Sequence, residues 1–190
     1  MEIRDPKAMR ALAHPLRIRL LEFVGVSGEA TATTCADAVS ESPANCSFHL
    51  RTLERYGFIE RVPGKTGRDR PYRITDISQS WSSDPDDPAA SIAGAALDEA
   101  FLEWDIERLR TSLRVPLPEK WRGNMFRAGA TLWMTPAETR TFGDAIRDLI
   151  APYVERWEDP LDRPADGRPV RIVAVSTLIP DLDVDDRGER

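Results

Sequence analysis

The sequence predicts an α+β fold: a mostly helical N-terminal domain closed by a small β-hairpin, then a long helix and a small β-α-β unit. Three observations carry this reading. From Ser42-Pro43 to Tyr56, Cys46, Leu50 and Leu53 recur at helical spacing, with a capping serine and proline in front and Gly57 behind. Two short β-prone runs follow, residues 58–62 and 71–75, around the turn-rich, basic stretch from Pro63 to Arg70. Farther on, residues 92–113 keep an apolar period of about 100° per residue.

Composition sets the bounds. The chain has 190 residues, and 41% hydrophobic content is enough for a real core. There is no N-terminal apolar stretch of the signal-peptide kind and no apolar run near the length of a membrane span, so the expected location is cytoplasmic, with no membrane partner. Two cysteines give no disulfide framework, which fits a reducing compartment. The net charge of −6 is unevenly spread. Residues 1–76 carry 12 Lys/Arg against 10 Asp/Glu, whereas residues 77–190 carry 14 against 22. Between Asn45 and Arg73 seven residues are basic and three acidic, a local basic face suited to an anionic partner.

In chain order, residues 5–26 are helical in pattern, and Pro15 divides them into two segments after His14. A lone histidine before a helix-opening proline reads as structural rather than as a metal ligand. Ser27-Gly28 closes this unit. A short helix over 33–39 turns Ala36 and Val39 inward, and Ser40-Glu41-Ser42 forms the tight turn before the next helix.

These residues carry a resemblance. Met9 to Leu21, Ser47-Phe48-His49-Leu50-Arg51-Thr52-Leu53, Tyr56-Gly57-Phe58-Ile59 and the Gly/Arg-rich hairpin resemble the winged helix-turn-helix of the ArsR-type (arsenic-repressor-like) bacterial transcriptional regulators, over roughly the first 75 residues. The resemblance implies a regulator that binds double-stranded DNA, usually repressing by occlusion. Metal sensors of that family use a Cys-x-Cys pair on the preceding helix. Here those positions fall on Thr31 and Thr33, while Cys35 and Cys46 occupy apolar core positions. The chain therefore resembles the kind that senses no metal and has a longer C-terminal region, and no metal or other cofactor is expected. A redox pair of the two cysteines is disfavoured for want of exposed cationic surroundings.

In this geometry the second helix of the motif lies in the major groove with its N-terminal residues at base edges. The expected DNA surface is Pro43, Ala44, Asn45, Ser47, Phe48, His49, Arg51 and Arg55, with Lys65, Arg68 and Arg70 from the wing. Asn45 is the leading base reader, because a carboxamide pairs with adenine through two hydrogen bonds; Arg51 could reach guanine or phosphate. Ser47 suits a phosphate. Phe48 is open between a thymine methyl or sugar and partial burial, and His49 between packing, phosphate and base contact. Arg68 and Arg70 suit phosphate or a narrow minor groove, or else a merely solvated turn.

The expected domains are a winged helix-turn-helix over 1–76, a linker over 77–91, a dimerisation and effector domain over 92–180, and an acidic tail over 181–190. Residues 76–90 are polar and proline-punctuated, as linkers are. The long helix has two apolar stripes on nearly opposite sides: Leu97, Phe101 and Trp104, and Leu102, Ile106, Leu109 and Leu113. Burial on both sides places the helix between its own chain and a second copy, with the second stripe as the dimer interface; a central helix of a monomeric domain is the alternative. Residues 127–134 read as a strand, Thr135-Pro136-Ala137-Glu138 as a capping box opening a helix, and residues 170–178 as a second strand. Together they predict a right-handed β-α-β crossover, similar to the tail of longer relatives of that family.

All five tryptophans, 81, 104, 121, 133 and 157, lie beyond the first domain, where they could fill core and dimer contacts or line a pocket for a small-molecule effector. No glycine-rich phosphate loop, Gly-x-Ser-x-Gly or His-Glu-x-x-His occurs, so no enzyme is expected and no catalytic residue is nominated. Two readings besides a plain repressor stay open: a ligand-responsive regulator of the same fold, and a winged-helix module that docks a protein.

Overall fold

The computed structural model describes residues 2–64, 70–76, 80–81, 86–158 and 162–179. The element order is β1 (Glu2–Ile3), α1 (Pro6–Leu12), α2 (Pro15–Ser27), α3 (Ala32–Val39), α4 (Pro43–Arg55), β2 (Ile59–Arg61), β3 (Tyr72–Ile74), β4 (Ser80–Trp81), α5 (Pro88–Ser112), a 3-10 turn at Glu119–Trp121, and α6 (Pro136–Glu158). It is a mixed, mainly helical architecture with small two-stranded sheets.

Helix starts follow local chemistry. Asp5, Ser42 and Asp87 each accept a backbone N–H of the first turn, and each is followed by proline, whose missing N–H costs nothing there. His14 caps α2 in the same way: its Nδ1 accepts from the Leu16 N–H at 3.2 Å. Thr31 and Thr34 form a reciprocal box at the start of α3, and Thr135 and Glu138 form the expected one at α6. That exchange holds the Glu138 carboxyl below the usual carboxylate range.

The core lies in the N-terminal half. Met9, Leu12, Leu20, Val24, Leu50, Leu53, Phe58 and Tyr72 are sealed from water, and helices α1 to α4 pack around them. The α4 terminus connects this core to the hairpin. Gly57 sits at φ 76°, its N–H bonds to the Glu54 carbonyl, and the Phe58 N–H bonds to that of Leu53. This Schellman arrangement brings Leu53 and Phe58 into the same apolar cluster. A side chain at Gly57 meets no neighbour, so the cost of Gly57→Ala is purely conformational, about 1–2 kcal/mol, read as a lower urea midpoint with unchanged slope.

Strands β2 and β3 are antiparallel, with Ile59 opposite Ile74 and Arg61 opposite Tyr72. Ala30 adds a bridge, exchanging both backbone hydrogen bonds with Tyr72. The sequence gives no hint of β1 and β4, which pair in parallel, Ile3 opposite Trp81. Trp81 also stacks on Phe101 at 5.0 Å and donates to Asp98 at 2.8 Å. Helix α5 begins at Pro88 rather than residue 92, because Asp87-Pro88 is a helix start and not loop punctuation. Ala90, Ala93 and Leu97 bury its first half, which packs on α1.

The expected β-α-β crossover is corrected. Residues 127–134 and 170–178 form no strand, and no backbone–backbone hydrogen bond joins them to described residues. A strand exists only beside another edge, and the chain does not bring these two together. Residues 170–179 are instead tied to α5: Arg171 makes two hydrogen bonds to Asp105, at 2.9 and 3.1 Å, and its guanidinium lies 4.6 Å from the Trp104 ring centre.

Candidate nucleic-acid interface

The exposed side of α4 follows from its buried side. With Cys46, Leu50 and Leu53 turned inward, Pro43, Ala44, Phe48, Arg51 and Arg55 are exposed, and Asn45 and Ser47 lie at the edge. Phe48 is 57% exposed and touches its own chain through an edge-on contact with the His49 ring at 5.3 Å.

Two of these side chains already have partners. The Asn45 carboxamide donates to the Glu41 carboxylate at 3.0 Å, and Arg51 donates to the Ser47 hydroxyl at 3.2 Å. Glu41 is the feature that sequence reasoning missed. It stands four residues before Asn45, just ahead of the helix cap Ser42, where the sequence reads only as a turn. Its carboxylate faces the surface that an anion would approach.

His49 is corrected as a surface residue. It is only 7% exposed and packs on the His14 ring at 4.6 Å, with the Arg17 guanidinium 3.4 Å from its Nδ1. Arg17 also donates to the Arg10 carbonyl, so the cluster ties α1, α2 and α4 together. Packing, one of the roles left open for His49, accounts for its place.

Burial, then the neighbouring Arg17 charge, lowers the pKa of His14; burial, His14 and Arg17 lower that of His49. Both imidazoles therefore bind protons less readily in the fold than in the unfolded chain, which takes them up near the ordinary value of 6.5. Protonation thus favours unfolding. Stability is complete above that value and falls as pH drops from it through the lowered folded values. Urea unfolding at about pH 7.5 and about pH 5.5 should show this loss, and His49→Gln should shrink it.

The hairpin places Arg70 at its base rather than its tip. Arg70 Nε donates to the Val62 carbonyl at 3.0 Å, and its own carbonyl accepts from Arg61 at 2.8 Å. Arg61 in turn lies 3.8 Å over the Tyr72 ring and 3.5 Å from Glu54, bracing the hairpin against α4. Lys65 and Arg68 lie outside the described residues.

The thiols of Cys35 and Cys46 are fully buried, and burial pushes that of Cys35 up to about 12 and that of Cys46 upward. Thr31, at one of the metal-sensor positions, spends its hydroxyl capping α3. These residues do not suit a thiolate metal site, and among the described residues no three His, Cys, Asp or Glu come together as ligands would. No helix among the described residues is long and apolar enough to cross a membrane.

Of the effector-pocket tryptophans, Trp121 lines an open cleft of about 350 Å³ with Lys120, Asn124, Arg156 and Asp166. Trp81 and Trp104 pack against the main core, Trp133 is 87% exposed, and the Trp157 side chain lies outside what is described. The four expected interface residues of α5, Leu102, Ile106, Leu109 and Leu113, are uncovered at 52%, 37%, 55% and 61%.

No curated protein matches the chain. Residues 12–62, from the end of α1 to just past β2, match the helix-turn-helix domain family, and that match supports a DNA-binding regulator.

Proposed function

We propose that the protein is a sequence-specific transcriptional regulator of ArsR type that binds double-stranded DNA as a homodimer and represses by occlusion. The observation that carries this reading is α4 itself: a helix anchored on its inner side by fully buried residues and presenting Asn45, Ser47, Phe48, Arg51 and Arg55 outward. The helix-turn-helix match over residues 12–62 supports it. Asn45 and Phe48 then read base edges, while Ser47, Arg51 and Arg55 hold phosphates. Pro43 and Ala44 bring the helix start close to the groove. His49 sets the helix from behind. The hairpin serves as the wing, with Lys65 and Arg68 as its phosphate contacts and Arg70 holding its base. In a dimer, two such helices about 34 Å apart meet successive major grooves.

Anisotropy titration tests this reading, using DNA from the protein's own upstream region and a scrambled duplex at two salt concentrations. Tighter, salt-weakened binding to the upstream DNA is expected. Absence of binding to either duplex at low salt would shift the assignment to a protein-docking module.

Glu41 adds a sharper expectation. Its carboxylate both occupies Asn45 and repels phosphate, so Glu41→Gln should tighten binding several-fold with a smaller gain in discrimination between sequences. Weaker binding by that variant would mean that Glu41 positions Asn45 rather than competing for it.

A further inference from the structure

The chain buries one half and leaves the other uncovered. Of the 22 exposed large apolar side chains among the described residues, 20 lie between Leu102 and Ile179. Such a concentration is not scattered surface apolarity.

Three features identify what covers it. Residues 170–179 are a β-branched run with apolar side chains at adjacent positions, among them Ile172, Val173 and Val175, all exposed. That is the composition of a strand buried on both faces. Residues 125–134 likewise expose Phe126 at 76% and Trp133 at 87%. Neither segment makes a backbone–backbone hydrogen bond to a described residue. An unpaired apolar edge of this kind is a template for another strand. Finally, the uncovered stripe of α5, Leu102, Ile106, Leu109 and Leu113, is spaced by four, three and four residues. This alternation is the seam by which a helix packs on a copy of itself.

We propose that the C-terminal half is completed by a second copy of this chain. Residues 125–134 and 170–179 become strands by pairing across the two chains, over α5 helices that meet along the Leu102–Leu113 stripe. The proposal rests on the homodimer reading above and specifies what builds that dimer. Arg171 fixes the register from within: bound to Asp105 and stacked on Trp104, it holds its segment beside α5 with an edge still to be paired. Residues 77–190, with 14 basic residues against 22 acidic, repel their counterparts. Apolar contact and backbone pairing therefore hold the dimer, and salt strengthens it while weakening any DNA contact.

Light scattering on the full chain, without DNA, gives the mass, and an equimolar mixture of two isotope-labelled forms gives cross-chain backbone contacts by magnetic resonance. A two-chain mass that persists in high salt is expected, with contacts linking residues 125–134 and 170–179 of different chains. A one-chain mass would overturn the proposal, and so would a dimer whose strand contacts all fall within one chain. Val173→Pro and Ala174→Pro remove successive N–H groups, which point to opposite edges of a strand. At least one of them should halve the mass while the N-terminal domain keeps its unfolding transition, and Val173→Ala should keep the two-chain mass. Two-chain mass in both proline variants would also overturn it. All of these readouts are independent of DNA, so failure of the regulator reading leaves them standing, and their failure leaves DNA titration to judge that reading alone.

Discussion

Phe58→Ala is expected to lower the free energy of unfolding of the main core by about 3–5 kcal/mol, the range for emptying a buried aromatic site. Phe58 is sealed from water and is the first residue after the turn at Gly57. Its backbone N–H closes the end of α4, its carbonyl accepts from Thr75 beyond β3, and its ring packs within the main core. One residue thus joins α4, the hairpin and the core, and truncating it leaves a cavity where all three meet. Such a loss is a large share of the roughly 5–15 kcal/mol that holds a domain together. Urea unfolding followed by circular dichroism would measure it, with DNA titration below the transition showing weakened binding as well. A cost under about 1 kcal/mol would mean that the site closes up around the smaller side chain and that the joint is looser than described.

The second large effect concerns charge. Replacing Arg51 and Arg55 together by alanine is expected to weaken DNA binding on the order of a hundredfold, with little change in stability. Both guanidinium groups are exposed on α4, and Arg51 spends a single hydrogen bond on Ser47. If each neutralises one phosphate, each releases close to one counterion. The slope of log affinity against log salt then falls by about 0.9 for each arginine, or nearly two units for the pair. A slope that stays put while affinity falls would place these arginines on bases instead. An unchanged affinity would move the DNA surface off this helix.

Much of the N-terminal fold is legible in the sequence because its signals are local. Pro15 divides the first helix pair, Ser42-Pro43 opens α4 and Gly57 closes it, since caps and left-handed turns depend only on nearby residues. The same holds for the Thr135–Glu138 box. The outward positions of α4 follow from its period, and Phe48 and Arg51 stand where that period puts them. His49 does not, because its burial depends on His14 and Arg17 arriving from α2. The pairing of β1 with β4 is invisible for a related reason: strands of two residues have no periodicity to read. Pro88 misleads because the same dipeptide, Asp-Pro, opens helices and breaks loops. The segments at 127–134 and 170–178 read as strands in the sequence and form none in the fold. Local propensity sets extension, whereas the neighbouring edge is a matter of tertiary or quaternary structure.

Burial of Cys35 and Cys46 has a practical consequence for watching this protein at work. A thiol reagent attacks the thiolate, and both native thiols are sealed and held protonated at neutral pH. They stay silent while the core around them is closed. A cysteine introduced on the outer surface of α4 or on the hairpin would therefore take a fluorescent label alone, without prior removal of the native pair. Slow labelling of the native pair would in turn act as a clock for the opening of the core, and its slowing on addition of DNA would report ligand protection from inside the fold.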